Sequence, residues 1–78
     1  METKIAEVAS KKQYDCYWLI VIDRYLGTFK NATAVGEKGV AEQTVYKEFE
    51  EKNPQYRVID GGKGLDKRPL DITELPYI

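Results

Sequence analysis

Six consecutive apolar residues, Tyr17-Trp18-Leu19-Ile20-Val21-Ile22, constrain this chain more than any other stretch. The run has strand length rather than helix length, is dominated by β-branched and aromatic residues, and is bracketed by Asp15 and Asp23. That pattern predicts a buried strand around which the remaining elements are arranged. With 78 residues in all, the chain supports a single core, because small domains bury a low fraction of their surface.

A two-residue turn at Asp23-Arg24 would pair this strand with the segment that follows it, setting Ile22 against Tyr25, Val21 against Leu26, Leu19 against Thr28 and Trp18 against Phe29. One sheet face then carries Cys16, Trp18, Ile20, Ile22, Tyr25 and Phe29. The other carries Tyr17, Leu19, Val21, Leu26 and Thr28. The first face is the larger and is expected to receive a helix.

Asn31 or Thr33 supplies an N-cap for that helix, which is predicted to run to Lys52 with Ala34, Ala41, Val45 and Phe49 on its apolar stripe. Glu42, Lys47, Glu48, Glu50 and Glu51 occupy the water side. Gly36 and Gly39 would fall inside this helix, where each costs roughly 1 kcal/mol against Ala, so they are expected to mark close approach to Trp18 and Phe29. Asn53-Pro54 ends the helix, and Gln55 to Asp60 reads as a returning strand. Gly61-Gly62-Lys63-Gly64 reads as a loop. The tail, residues 69–78, regains apolar character but contains Pro69 and Pro76, which suits an edge strand, a single turn or an extended packed segment. Residues 1–13 fit either short helical turns or an added strand from Lys4 to Val8. The expected fold is α+β: an antiparallel sheet of three to four strands with a ββαβ core and one principal helix on one face. The single domain spans 1–78, with 61–78 a Gly-containing loop and extended C-terminal segment.

Chemistry narrows the function classes. Twelve basic and thirteen acidic residues leave a net charge of -1 and a pI near 5.4, without the basic excess typical of nucleic-acid modules. Histidine is absent from the sequence, which removes imidazole acid-base work. Cys16, the sole cysteine, is expected to behave as a small buried apolar residue, and Ser10 has no base in evidence. Glu50 and Glu51 are adjacent on a helix and point apart. Gly61-Gly62-Lys63-Gly64 lacks phosphate-loop spacing and a following Ser or Thr. The chain is therefore expected to be non-enzymatic, with no cofactor, metal site or small-molecule substrate. A lone cysteine, a polar start and no long apolar run suggest a cytoplasmic protein without a membrane segment.

The segment Tyr25-Leu26-Gly27-Thr28-Phe29-Lys30-Asn31-Ala32 resembles the end of the sheet and start of the helix in AP2-type DNA-binding domains, where a similar Leu-Gly-Thr-Phe leads into an Ala-rich helix. The likeness covers eight of 78 residues and implies the same strand-to-helix geometry. Those domains read DNA with basic and aromatic residues on the exposed sheet face, and here that face offers Tyr17, Leu19 and Val21 with scarcely any Arg.

The function these features favour is binding to another protein or to a second copy of the chain. Tyr17, Leu19, Val21 and Leu26 on the uncovered face, with Leu70, Ile72, Leu75 and Tyr77 of the tail, would form the contact surface. Six tyrosines, each with apolar area and a polar tip, suit such a surface. A compact, slightly acidic chain of this kind fits an accessory protein of a phage or mobile element that inhibits or modulates a host defence protein. The alternative is a nucleic-acid module using Lys63, Lys67 and Arg68, supported by Lys11, Lys12, Arg24 and Lys30.

Overall fold

The computed structural model describes residues 13–78. The helix-or-strand alternative for residues 1–12, and the residues Ser10, Lys11 and Lys12, lie outside the described part. β1 (Tyr14–Asp23) contains the whole apolar run and is the central strand of a three-stranded antiparallel sheet of order β2-β1-β3. β2 (Phe29–Glu37) and β3 (Tyr56–Lys63) flank it, and one helix, α1 (Glu42–Lys52), connects them. This is the expected α+β arrangement, with three differences that move the surface.

The first is the hairpin. Asp23 is followed by a longer loop instead of a two-residue turn, and the register pairs Ile22 with Phe29, Ile20 with Asn31 and Trp18 with Thr33. Each partner lies four positions further along than expected. Because the side-chain period of a strand is two, an even slip leaves every residue on its expected face.

The second concerns Lys30 to Glu37. This segment continues β2 along the full length of β1 and does not open a helix, so the resemblance to a strand-to-helix junction at Asn31 does not hold here. Thr33 and Val35 favour the pleated conformation. Gly39, at φ 92°, then turns the chain, and α1 begins only at Glu42 with Ala41 before it.

The third is the choice of face. Tyr17, Leu19 and Val21 are fully buried, and with Ala32 and Val45 they form the apolar core among the described residues. Tyr46, Phe49, Tyr56 and Val58 pack around them, and the Tyr46 ring meets Tyr17 edge-on at 6.2 Å. Thus α1 covers the face expected to stay open. The reason lies in β2, where Ala32, Ala34 and Gly36 stand opposite Leu19, Tyr17 and Asp15. This row of small residues makes a shallow floor on which a helix can settle. Val45 uses it fully, since a Cβ at Gly36 would collide with Val45 Cγ2. Gly36 therefore permits close approach as expected, but from the sheet and toward Val45. Burying each large apolar side chain contributes about 1.5–3 kcal/mol. Turning Tyr17, Leu19 and Val21 outward would exceed the roughly 3–5 kcal/mol net that a core of this size supplies.

β3 is longer than expected and absorbs two of the loop glycines. A bulge at Ile59 shifts the pairing from Val21 with Val58 to Ile20 with Asp60, after which Leu19 faces Gly61 and Trp18 faces Gly62. The Trp18 indole lies on Gly62, where a Cβ would come within 2.7 Å of Nε1. Cys16, expected inside, is exposed, because its face is not the one α1 covers.

The second face receives the tail. After Gly64, whose N–H reaches the Cys16 carbonyl at 2.7 Å, the chain forms single 3-10 turns at Leu65–Lys67 and Leu70–Ile72. It then arrives at β2 on the opposite side of β1, where Tyr77 makes a parallel bridge with Asn31. With α1 on the Tyr17 face, this path runs on the Trp18 face, where Trp18, against Gly62, is only 8% exposed. Asn31 fastens the end: its Nδ2 donates to the carbonyls of Ile72 at 2.6 Å and Leu75 at 3.1 Å. Its backbone takes part too, the N–H donating to Pro76 O and the carbonyl accepting from Ile78 N–H.

Candidate protein interface at the hairpin tip

The tertiary fold divides the expected contact residues into three groups. Tyr17, Leu19 and Val21 are core residues and can touch no partner without unfolding. Ile72 and Leu75 are half-buried where the tail closes on Asn31. Leu26, Leu70 and Tyr77 stay exposed, at 70%, 86% and 56%.

Leu26 belongs to the best-defined of these surfaces. The loop from Arg24 to Thr28 is built on Asp23, whose Oδ1 accepts the N–H of Tyr25 at 2.9 Å and that of Leu26 at 3.0 Å. Its Oδ2 accepts Gln55 Nε2 at 3.3 Å. Backbone bonds close the ring: Gly27 N–H to Asp23 O, Asp23 N–H to Thr28 O, and Arg24 N–H to Gln55 O. Gly27 supplies the left-handed conformation, φ 70°, that the return to β2 requires. An Asp carboxylate that takes the N–H groups two and three residues on is a strong local turn device. The Leu26 N–H is the main reason the Asp23 carboxyl sits below its ordinary value, aided by the Tyr25 N–H, Gln55 and the charge of Lys30, while loss of hydration opposes them. The carboxylate is shielded by the loop it braces.

The loop thus holds Tyr25, 81% exposed, and Leu26 in solvent on a fixed backbone. At its base the second sheet face ends in a row across all three strands, Phe29, Ile22 and Arg57. Phe29 and Arg57 are exposed and Ile22 is half-buried. Tyr25 and Phe29 were expected under the helix. For Tyr25 the signal is Asp23 followed by Gly27, a spacing for a longer Asp-braced loop, whereas Phe29 is exposed because α1 covers the opposite face.

The described basic residues proposed for nucleic acid fall in two regions, Lys63, Lys67 and Arg68 toward the tail and Arg24 and Lys30 at the hairpin end. Lys63 pairs with Asp15 at 3.5 Å. Arg68 donates to Ala32 O and to the Tyr77 hydroxyl, both at 3.0 Å, and its guanidinium stacks on the Tyr77 ring at 5.0 Å, so it acts in fastening the tail. Lys67 is exposed between them. Arg24 and Lys30 lie at the hairpin end, away from this group.

A groove of about 630 Å³ runs between α1 and β3 past Glu42, Tyr46, Glu50 and Asp60. Each carboxylate already accepts a hydrogen bond that shapes the fold: Glu42 from the Tyr46 hydroxyl at 3.0 Å, Glu50 from Val58 N–H and Asp60 from Gly61 N–H, both at 2.8 Å. Burial, the bond to Glu42 and the nearby negative charges push the Tyr46 hydroxyl up to about 12. Each of these groups takes part in a hydrogen bond that shapes the fold. Among the described residues no helix is long and apolar enough to cross a membrane. The chain matches no protein-family model, no curated protein and no solved structure.

Proposed function

We propose that this protein is a non-enzymatic interaction module that binds another protein through the hairpin tip, with Tyr25 and Leu26 as anchors and Phe29 beside them. The observation that carries this reading is the bracing of the tip. A buried carboxylate, three hydrogen bonds to it and a positive-φ glycine hold two large apolar side chains in water. The bonds fix the loop backbone and leave Tyr25 and Leu26 turned to water. A binding surface gains affinity, because the ordering entropy is already spent before the partner arrives. Tyr25 supplies apolar area with a polar tip, the kind of residue enriched in interface hot spots, and Leu26 adds apolar area beside it. An inhibitory or modulating role toward a larger host protein, in the manner of a phage or mobile-element accessory protein, is the form this binding takes in our reading. A domain without catalytic groups acts by occupying a surface.

The test is site-specific photocrosslinking in extract of the native host, with the crosslinker at position 25 and, as a control, at the exposed helix position Glu48. A discrete adduct formed from position 25 alone, and lost when Leu26 is replaced by Ala, supports the assignment. Equal adducts from both positions overturn it. Sedimentation over a concentration series shows whether the adduct is a second copy of the chain.

A further inference from the structure

The proposed tip interface has a charge character that narrows its partner. We infer that the partner presents an apolar socket rimmed by carboxylates, an inference that rests on the tip being the interface.

The two segments that build the tip, residues 22–30 and 55–58, contain three cations, Arg24, Lys30 and Arg57, and one acid, Asp23. Asp23 is 1% exposed and its oxygens are occupied by Tyr25, Leu26 and Gln55, so it offers a partner no negative charge. Arg24 and Arg57 are exposed on the β3 side of the tip, Arg24 bonded through its backbone N–H to Gln55 O and Arg57 paired with Ile22. Lys30 is half-buried over the Tyr56 ring at 5.8 Å. Outside these segments, the half-buried Glu50 of α1 reaches Val58, where its carboxylate accepts the backbone N–H at 2.8 Å, and Asp71 and Glu74 belong to the tail that closes on Asn31.

The rest of the chain is opposite in sign, with nine basic and twelve acidic residues. Among the described residues the tip carries net +2, and the remainder, with six basic and ten acidic residues, carries net -4. A large anionic surface would be drawn to the tip and repelled by the excess of acids in the rest of the described fold. A local patch of carboxylates about the size of the tip gains the attraction without that repulsion. The aliphatic Leu26 argues in the same direction, since phosphate offers it no match and an apolar socket does. Exposed arginines flanking apolar anchors are suited to bidentate carboxylate contacts at the rim. Such rim charges act chiefly on the association rate and on its salt dependence.

A random-peptide display selection against the full chain tests this. Selected peptides are synthesised and measured against the wild type, Tyr25→Ala with Leu26→Ala, and Arg24→Gln with Arg57→Gln, at low and high salt, with melting used to show that both variants fold. The expected peptides combine Asp or Glu with apolar anchors. They lose about a hundredfold or more in affinity on the Tyr25/Leu26 variant, and about tenfold on the Arg24/Arg57 variant, with a similar loss at high salt. Peptides that need Tyr25 and Leu26 but lack acids and ignore both salt and the arginine change would overturn the acidic-rim inference and leave the tip interface standing. A failure to select any peptide dependent on Tyr25 and Leu26 overturns both. Binding of anionic phosphatidylserine vesicles or of a labelled oligonucleotide, if abolished by the Tyr25/Leu26 change, overturns the inference in favour of a lipid or nucleic-acid surface.

Discussion

Replacing Asn31 with alanine removes the fastening between β2 and the tail without touching the core. The side chain is fully buried and its Nδ2 donates to the carbonyls of Ile72 and Leu75, 41 and 44 residues away in sequence. Each bond contributes about 1 kcal/mol net, and a carbonyl left without its donor in a partly buried site adds about 1–3 kcal/mol. The expected loss is therefore about 2–4 kcal/mol, most of what a domain of this size has in reserve. The two backbone bonds at Asn31 do not need its side chain, so a weakened tail contact persists at low temperature. Trp18 is the sole tryptophan and lies on the sheet face along which the tail runs. Urea denaturation followed by its fluorescence should show a lower midpoint for Asn31→Ala and a red-shifted native emission. Asn31→Asp adds a second signature, because its carboxylate faces two carbonyl oxygens. Burial and that repulsion raise its folded pKa, so Asn31→Asp should regain stability as pH is lowered toward the ordinary carboxylate range of about 4. An Asn31→Ala protein with wild-type midpoint and emission would refute the argument and show that the Asn31 side chain does not fasten the tail.

Gly36→Ala should cost about 1–3 kcal/mol through collision with Val45 Cγ2, and Val45→Ala in the same chain should recover part of that loss; a strictly additive double-mutant cycle by denaturation would exclude the contact. The Asp23 carboxyl lies below its ordinary value of 3.8, so the unfolded chain binds its proton more readily than the folded one. Its stabilising effect is complete above that value and is lost as pH falls through the lower folded value. Asp23→Asn should flatten the acid limb of a stability-pH curve, and an unchanged limb would show that the loop does not rely on the carboxylate. Tyr46, pushed up from 10 to about 12, acts at the other end. Its contribution is present below pH 10 and disappears as pH rises to about 12, and Tyr46→Phe should remove that part of the alkaline loss.

Much of the framework was legible along the chain. The six-residue apolar run, the stop at Asn53-Pro54 and the returning strand all report local preferences, and local preferences survive in the fold. Where the reading failed, a longer-range contact overruled the local one. Lys30 to Glu37 forms strand because β1 offers a complete ladder of partners, which outweighs any capping signal at Asn31 or Thr33. Gly61 and Gly62 lie in a strand because Leu19 and Trp18 need room above them, and neighbouring residues in sequence do not show that need.

The tip was half visible. Leu26 is legible as a contact residue, but Tyr25 leaves the sheet because the loop length depends on Asp23 folding back onto its own following amides, and Phe29 escapes the helix because α1 settles on the other face. An Asp at the loop start and Gly27 four residues later carried that information.

By itself the sequence determined which residues share a face, since alternation along β1 assigns Tyr17, Leu19 and Val21 to one side and Trp18, Ile20 and Ile22 to the other, whatever the register by even steps. Which side meets the helix was decided only in three dimensions. The larger face was not the better seat, because a helix docks where the opposite strand is low. Ala32, Ala34 and Gly36 make it low on the Tyr17 side, while Asn31 on the Trp18 side is used to fasten the tail. That choice buries three residues expected at the surface, leaves the Trp18 face to the chain's own C-terminal segment, and leaves the braced hairpin tip, with Leu70 and Tyr77 among others, turned to water.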